Sequence, residues 1–267
     1  MKSNANATKH TKIMNIANEG ECNQPARSSN SDSTFESSVE KVLKQRSLRS
    51  VYQPIIHHKQ NSVFAHEALS RPLLNGKPLN PEEWFRKACA YGLTVEADLL
   101  AVESALRNFT PVDSSYLFVN VMPTSLGQNA FLYALEDLLR EISFSPQDLV
   151  FELTEFFDTG FQQIKQTIAT LRSYGIRIAI DDVEIENSSL RAIIELEPDF
   201  IKVDRSLIQG IAVSEQKQRI VAALLDYIGS REALIAEGVE THEDFKALIK
   251  VGVLLSQGYY WSSLCQF

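Results

Sequence analysis

The chain has 267 residues, 44% of them apolar, enough for one large domain or two small ones with a real core. A net charge of -8 without any basic cluster argues against a nucleic-acid polymer as partner, so an anionic small ligand needs metal ions or local Arg and Lys. Cys22, Cys89 and Cys265 are scattered and odd in number, which suggests neither a disulfide framework nor a zinc site and fits a reducing cytoplasm; no apolar run reaches the length of a membrane span, and the N-terminus has no signal-peptide core.

Residues 1–35 are rich in Asn, Ser, Thr and Lys, with few large apolar side chains, and cannot bury enough surface to offset their ordering entropy, so a disordered tail is expected, with a folded domain over 36–267. That domain starts with a helix containing Val39, Val42, Leu43 and Leu48. Strand patterns follow at Val51–Ile56, Ser62–Leu69, Tyr116–Val121, Leu149–Leu153, Arg177–Asp181, Phe200–Val203, Ala233–Ala236 and Leu254–Tyr259. Between them, helical periods run through Leu99, Val102 and Leu106, through Phe161, Ile164, Ile168 and Leu171, and through Ile220, Leu224 and Ile228. The alternation predicts an α/β fold, a TIM-like (β/α)8 barrel, with a doubly wound sheet as the competitor. The first two strands have no helix between them, an irregular opening for an eightfold repeat.

Polar residues arrive at or near the C-terminal ends of these strands: Glu67, Asn120, Glu152, the pair Asp181 and Asp182, Lys202, Glu237 and Gln257. A single carboxylate there is usually a solvated turn residue or a helix cap. The whole set marks the end of a barrel where active sites lie. Converging carboxylates repel and require a cation, and an oxygen-rich set with no Cys and few His selects Mg²⁺ or Mn²⁺ over zinc. Adjacent aspartates suit a two-metal site, which predicts a metal-dependent hydrolase of phosphate esters.

The ordered strings "YQPI", "EALSR", "FVNV", "FELTE", "AIDD", "FIKVDRSLI", "AEGVET" and "QGY", spread from about residue 51 to 261, resemble the EAL-domain family of cyclic di-GMP phosphodiesterases. The resemblance implies that Glu67, Asn120, Glu152, Asp181, Asp182 and Glu237 bind two metals. It also implies that Lys202 and Asp182 serve the attacking water, that Gln257 is hydrogen-bonded within the site, and that Arg71 grips a substrate phosphate. Gln53 is a further ligand contact, and Glu155 resembles the residue that pins the loop after the aspartate pair. The implied reaction opens one phosphodiester of cyclic di-GMP to give linear pGpG, in a cytoplasmic protein that can form a homodimer.

The loop departs from the family. Where active members read close to D-D-F-G-x-G-Y-S-S-L, this chain reads D-D-V-E-I-E-N-S-S-L, so Glu184 and Glu186 replace two glycines and add charge beside an acidic site. The terminal "GYYWSSLCQF" also departs from the usual "GYLFSKP". A weak or inactive domain, acting as a cyclic di-GMP receptor or binding a protein partner, is therefore the alternative. No sensory, response-regulator or cyclase segment is visible, as expected of a stand-alone domain. His57, His58 and His66 are expected at the surface or behind the site, and Trp84 and Phe85, after the helix start "NPEE", in the core.

Overall fold

A computed structural model describes residues 37–110, 115–153, 161–183 and 188–261; the expected tail, the acidic loop 184–187 and Glu155 lie outside the described residues. Eight strands close into a barrel: β1 (Leu48–His57), β2 (Ser62–Leu74), β4 (Tyr116–Val121), β5 (Leu149–Leu153), β6 (Arg177–Val183), β7 (Phe200–Val203), β8 (Leu234–Ala236) and β9 (Leu255–Ser256). A two-residue β3 (Lys77–Pro78) only extends β2 at its far end. β1 is antiparallel to both β2 and β9, while every other barrel contact is parallel. The irregular opening is thus a hairpin, and it needs no crossover helix because its strands run in opposite directions.

The described helices are α1 (Ser38–Gln45), α2 (Pro81–Ala90), α3 (Thr94–Asn108), α4 (Pro123–Leu126), α5 (Asn129–Glu141), α6 (Phe161–Ser173), α7 (Ser188–Leu196), α8 (Arg205–Ile208), α9 (Glu215–Ile228) and α10 (His242–Val251). Local chemistry sets their starts. Ser37 and Glu40 form a reciprocal capping box on α1, and Asn80 caps α2 ahead of Pro81 and two acids in the first turn. Leu48, expected in the first helix, begins β1 instead, because Arg46 turns the chain left-handed and ends α1.

Three apolar clusters hold the fold. The largest lies between the barrel and its helices, from Leu117, Val119 and Phe151 out to Phe131, Ile168 and Val221. A satellite joins α1, α2 and α3 around Trp84, with Phe85 packed against it, so both aromatics are core residues as expected. The third fills the barrel interior with one side chain from each strand: Ile55, Ala65, Phe118, Val150, Ala179, Phe200, Ile235 and Leu255. Each fully buried Val, Leu, Ile or Phe among these contributes about 1.5–3 kcal/mol, which makes the interior a plug and not a pore.

Some expectations need correction. Of the two places expected for the histidines, the surface is excluded for His57 and His66, each only 3% exposed, while His58 is partly buried and held by the Val253 carbonyl and the Ser256 hydroxyl, stacked on Trp261. Cys89 is disulfide-bonded, where the odd, scattered cysteines suggested no disulfide framework; Cys22 and Cys265 lie outside the described residues. The last strand is shorter than its apolar run, because Gly258 crosses Val239 so closely that any Cβ there would meet that residue's backbone at 2.3 Å.

Candidate active site at the barrel mouth

The polar layer follows from the apolar plug by strand geometry. Side chains two residues apart share a face. Moving two residues from each plug residue toward the mouth leads from Ala65 to Glu67, Phe118 to Asn120, Val150 to Glu152, Ala179 to Asp181, Phe200 to Lys202, Ile235 to Glu237 and Leu255 to Gln257. On the antiparallel β1 the step runs backwards, from Ile55 to Gln53, which pairs with Glu67. Every strand therefore places one polar side chain directly above the plug.

Lys202 is the centre of this layer. Its ammonium, 1% exposed, lies 2.7 Å from Glu237, 2.9 Å from Glu152, 3.1 Å from Asp181 and 3.2 Å from Glu67. Asn120 donates to Glu67 at 3.3 Å and to Glu152 at 3.1 Å. The Gln257 amide donates to Glu67 at 2.7 Å and to Glu237 at 2.8 Å. Those two bonds fix which way the amide points, since the reverse would aim its oxygen at two carboxylates; Oε1 is left buried with no hydrogen bond among the described residues.

Asp182 joins the group through a break in the strand. Adjacent strand residues face opposite ways, yet the β6–β7 register shifts between Ile180 and Val183, and Asp182 takes φ +50°. A bulge of this kind re-aims a side chain. As a result Asp181, Asp182 and Glu237 each offer a carboxylate oxygen, all within 4.8 Å of one another.

Charge in the layer is unbalanced, with five carboxyl groups around one ammonium. Burial, reinforced by Glu67, pushes Glu152 well above the usual carboxylate range, and burial also raises Asp181. Glu237 is raised to about 8 and Asp182 to about 6, both mainly by burial and then by neighbouring acids. Glu67 is lowered, because Lys202 and Gln257 outweigh its burial. Burial alone would lower Lys202, but Asp181, Glu152, Glu237 and Glu67 hold it well above its ordinary value. An all-oxygen donor set that must otherwise retain protons fits hard divalent cations.

Above the layer opens a cavity of about 420 Å³ lined by Gln53, Asp182, Glu237 and Gln257, and also by Asp204, Arg205, Glu240 and Tyr259. Sequence reasoning missed the latter four, although they follow the strand ends of "FIKVDR", "AEGVE" and "QGYY" and the same strand-end rule reaches them. It also missed Asp98 on α3, which is buried, accepts the Met122 N–H at 3.0 Å, and so holds the loop just beyond Asn120. Burial raises that carboxyl to about 7. Arg71 stands four residues beyond Glu67 on β2, outside the cavity wall, with its guanidinium on the Ser70 carbonyl at 2.9 Å.

The profile of the EAL domain matches residues 36–263. A cyclic di-GMP phosphodiesterase, PdeA of Borreliella burgdorferi, is 32% identical over 231 residues, covering 83% of this chain and 34% of that protein. A probable cyclic di-GMP phosphodiesterase, PdeI of Escherichia coli, is 30% identical over 81% of this chain and 29% of its own length. The chain thus spans roughly a third of these relatives. Among solved structures, Klebsiella pneumoniae BlrP1 in complex with calcium and cyclic di-GMP superposes with a TM-score of 0.72 at 31% identity, over 82% of this chain and 56% of that one. Its manganese and cyclic di-GMP complex gives the same values. The Xanthomonas citri FimX EAL domain, 18% identical over 86% of this chain and 92% of its own, shares the fold at a TM-score of 0.75. With the match running through all of the described residues, this chain belongs to the EAL-domain family.

Proposed function

We propose that the chain is a metal-dependent phosphodiesterase that hydrolyses cyclic di-GMP to linear pGpG. The observation that carries this reading is the polar layer itself: one side chain per strand, with the acids in excess, open to a cavity above. Glu67, Asn120, Glu152, Asp181, Asp182 and Glu237 would hold two Mg²⁺ or Mn²⁺ ions. Bound there, such ions polarise a phosphoryl group and make water acidic enough to attack it at neutral pH.

The chain's own residues arrange the reactants. Lys202 keeps its positive charge across the working range, and its N–H groups orient the attacking water from below. Asp182, at the cavity wall, accepts a hydrogen bond from the same water. Gln257 fixes Glu67 and Glu237 relative to one another through its two N–H bonds. Gln53 lines the cavity that the ligand would occupy, and Arg71, beyond the cavity wall on β2, is assigned to supply planar donors for a phosphate. Glu155 is assigned to pin the loop that follows the aspartates. The substrate, an intracellular second messenger, sets the site of action in the cytoplasm, and a homodimer is part of the same reading.

Glu184 and Glu186 favour a second reading, in which the same site binds cyclic di-GMP without turning it over and acts as a receptor or through a protein partner. Catalysis needs tighter positioning than affinity, so binding can outlast turnover. Incubating purified protein with cyclic di-GMP and Mn²⁺ or Mg²⁺, with chromatographic separation of pGpG and a parallel binding titration, separates the two. Metal-dependent pGpG supports the enzyme; tight binding without product supports the receptor; neither refutes both.

A further inference from the structure

The end of β4 is held unevenly. On the β5 side its ladder runs to Val121, opposite Leu153, while on the β2 side it stops at Val119, opposite Ala68. Asn120 lies just past that stop. Its amide N–H groups are already given to Glu67 and Glu152, so its oxygen is the atom left for a cation. An uncharged ligand is drawn to a cation less strongly than the acids are, so Asn120 depends on the backbone that carries it. That backbone is fastened from outside the barrel. Met122 opens α4 at φ −73° and has no side-chain cap of its own. The acceptor comes instead from α3: Asp98, 1% exposed, takes the Met122 N–H at 3.0 Å, with the fully buried Ser125 of α4 beside the same carboxyl. Among the described residues no cation pairs with Asp98, so burying this acid is costly, and the bond to Met122 offsets part of that cost. At the far end of α4 the Thr167 hydroxyl of α6 donates to the Leu126 carbonyl at 2.7 Å, and the Gln163 amide donates to the Gly127 carbonyl. The turn after Asn120 is thus pinned to α3 at its start and to α6 at its end.

We propose that Asp98 is a positioning residue for metal binding: by holding the Met122 N–H from α3, it fixes the reach of Asn120 into the acidic layer. The assignment rests on the proposed phosphodiesterase reading and adds to it a residue that stands outside both the polar layer and the cavity wall. Its loss therefore acts on the cations and on turnover, and leaves the hold on the nucleotide unchanged. Residues that orient a metal ligand from behind matter by about 10- to 100-fold in metal affinity or activity.

The test measures Mn²⁺ binding by calorimetry without nucleotide, and then kcat and KM for cyclic di-GMP, in wild type, Asp98→Ala, Asp98→Asn and Tyr52→Phe, all below their melting temperatures in EDTA. Asp98→Ala should weaken Mn²⁺ binding about 10-fold or more and lower kcat by about 10- to 100-fold, with KM within about 3-fold of the wild type. Asp98→Asn still offers an oxygen to the Met122 N–H and should recover most of both losses. Tyr52→Phe removes a different buried bond to α3, from the Tyr52 hydroxyl to the Ala105 carbonyl at 2.8 Å, and should melt lower while binding Mn²⁺ as the wild type does. Should Asp98→Ala not fold, Met122→Pro removes the same N–H from the other side, at a φ that proline adopts, and the same losses are expected. Wild-type Mn²⁺ affinity in the variant that folds, with or without a raised KM, overturns the positioning role. An equal loss of Mn²⁺ affinity in Tyr52→Phe overturns it as well, since any loosening of α3 would then suffice. A wild type that binds Mn²⁺ but forms no pGpG removes the phosphodiesterase reading, and the Mn²⁺ comparison still decides the role of Asp98. A wild type that binds no Mn²⁺ overturns both.

Discussion

Replacing Lys202 with Met removes a buried ammonium and leaves four carboxylates, at 2.7–3.2 Å from its former position, facing one another at the floor of the cavity. Methionine fills nearly the same volume, so the cost is electrostatic and not a cavity. Breaking a buried ion pair from one side costs about 3–5 kcal/mol, because the remaining charge is neither solvated nor paired. In a domain of this size each kcal/mol moves the melting temperature by about 2–4 °C, so Lys202→Met should melt roughly 6–20 °C below the wild type. The assay is calorimetric or fluorescence-monitored melting in EDTA at pH 8, repeated with Mn²⁺. The metal should return a large share of the loss by supplying the missing positive charge. A variant that melts within 2 °C of the wild type in EDTA would show that the carboxylates are not held against Lys202, and the reasoning for the whole layer would fail.

The metal-free protein should also lose stability as pH rises. Glu237 at about 8 and Asp182 at about 6 bind protons more tightly folded than unfolded, so their contribution is complete below the ordinary carboxylate range and gone once pH passes about 8. Melting in EDTA should therefore fall between pH 5.5 and pH 9, and Mn²⁺ should flatten the slope; a flat profile in EDTA contradicts the raised values. Glu67→Ala should abolish metal-dependent turnover by removing one ligand and one negative charge, and undiminished pGpG formation would take Glu67 out of the site. Gly258→Ala should destabilise by about 2–4 kcal/mol, since its Cβ would strike Val239. Gly210→Ala, also at positive φ but with open space around it, should cost only about 1–2 kcal/mol, so equal losses would refute the steric account. Converting Glu184 and Glu186 together to Gly should raise the initial rate at saturating Mn²⁺; a wild type already as fast as the double variant would show the glutamates to be harmless.

The barrel was legible because its plug and its polar layer share one period. Apolar runs such as "SYLFVNV" and "LVFELTE" carry the plug residue and, two positions later, the polar one, and a period of two needs no tertiary information. Closure of the sheet did not follow from that pattern, since a doubly wound sheet has the same runs; it depends on β1 pairing with β2 and β9 at once. The turn at Asp182 was also hidden. Two adjacent acids on a strand point apart by default, and only the register shift against β7 brings both to the mouth. The sequence also left open whether the histidines lie at the surface or inside, for a related reason. A polar ring can be buried when its partners come from distant chain, as His58 is between Val253, Ser256 and Trp261, and no local pattern signals such partners.

The most direct test of the central claim counts metal and product in the same preparation. Protein stripped of metal, then titrated with Mn²⁺ in the presence of cyclic di-GMP, should form no pGpG at the start, should bind two Mn²⁺ per chain, and should reach full turnover as the second site fills. Glu67→Ala should fail at both counts. Product formed at full rate in the stripped protein, or turnover unchanged by Mn²⁺ while the ion binds elsewhere, would contradict an acidic layer built to hold metals for phosphodiester hydrolysis.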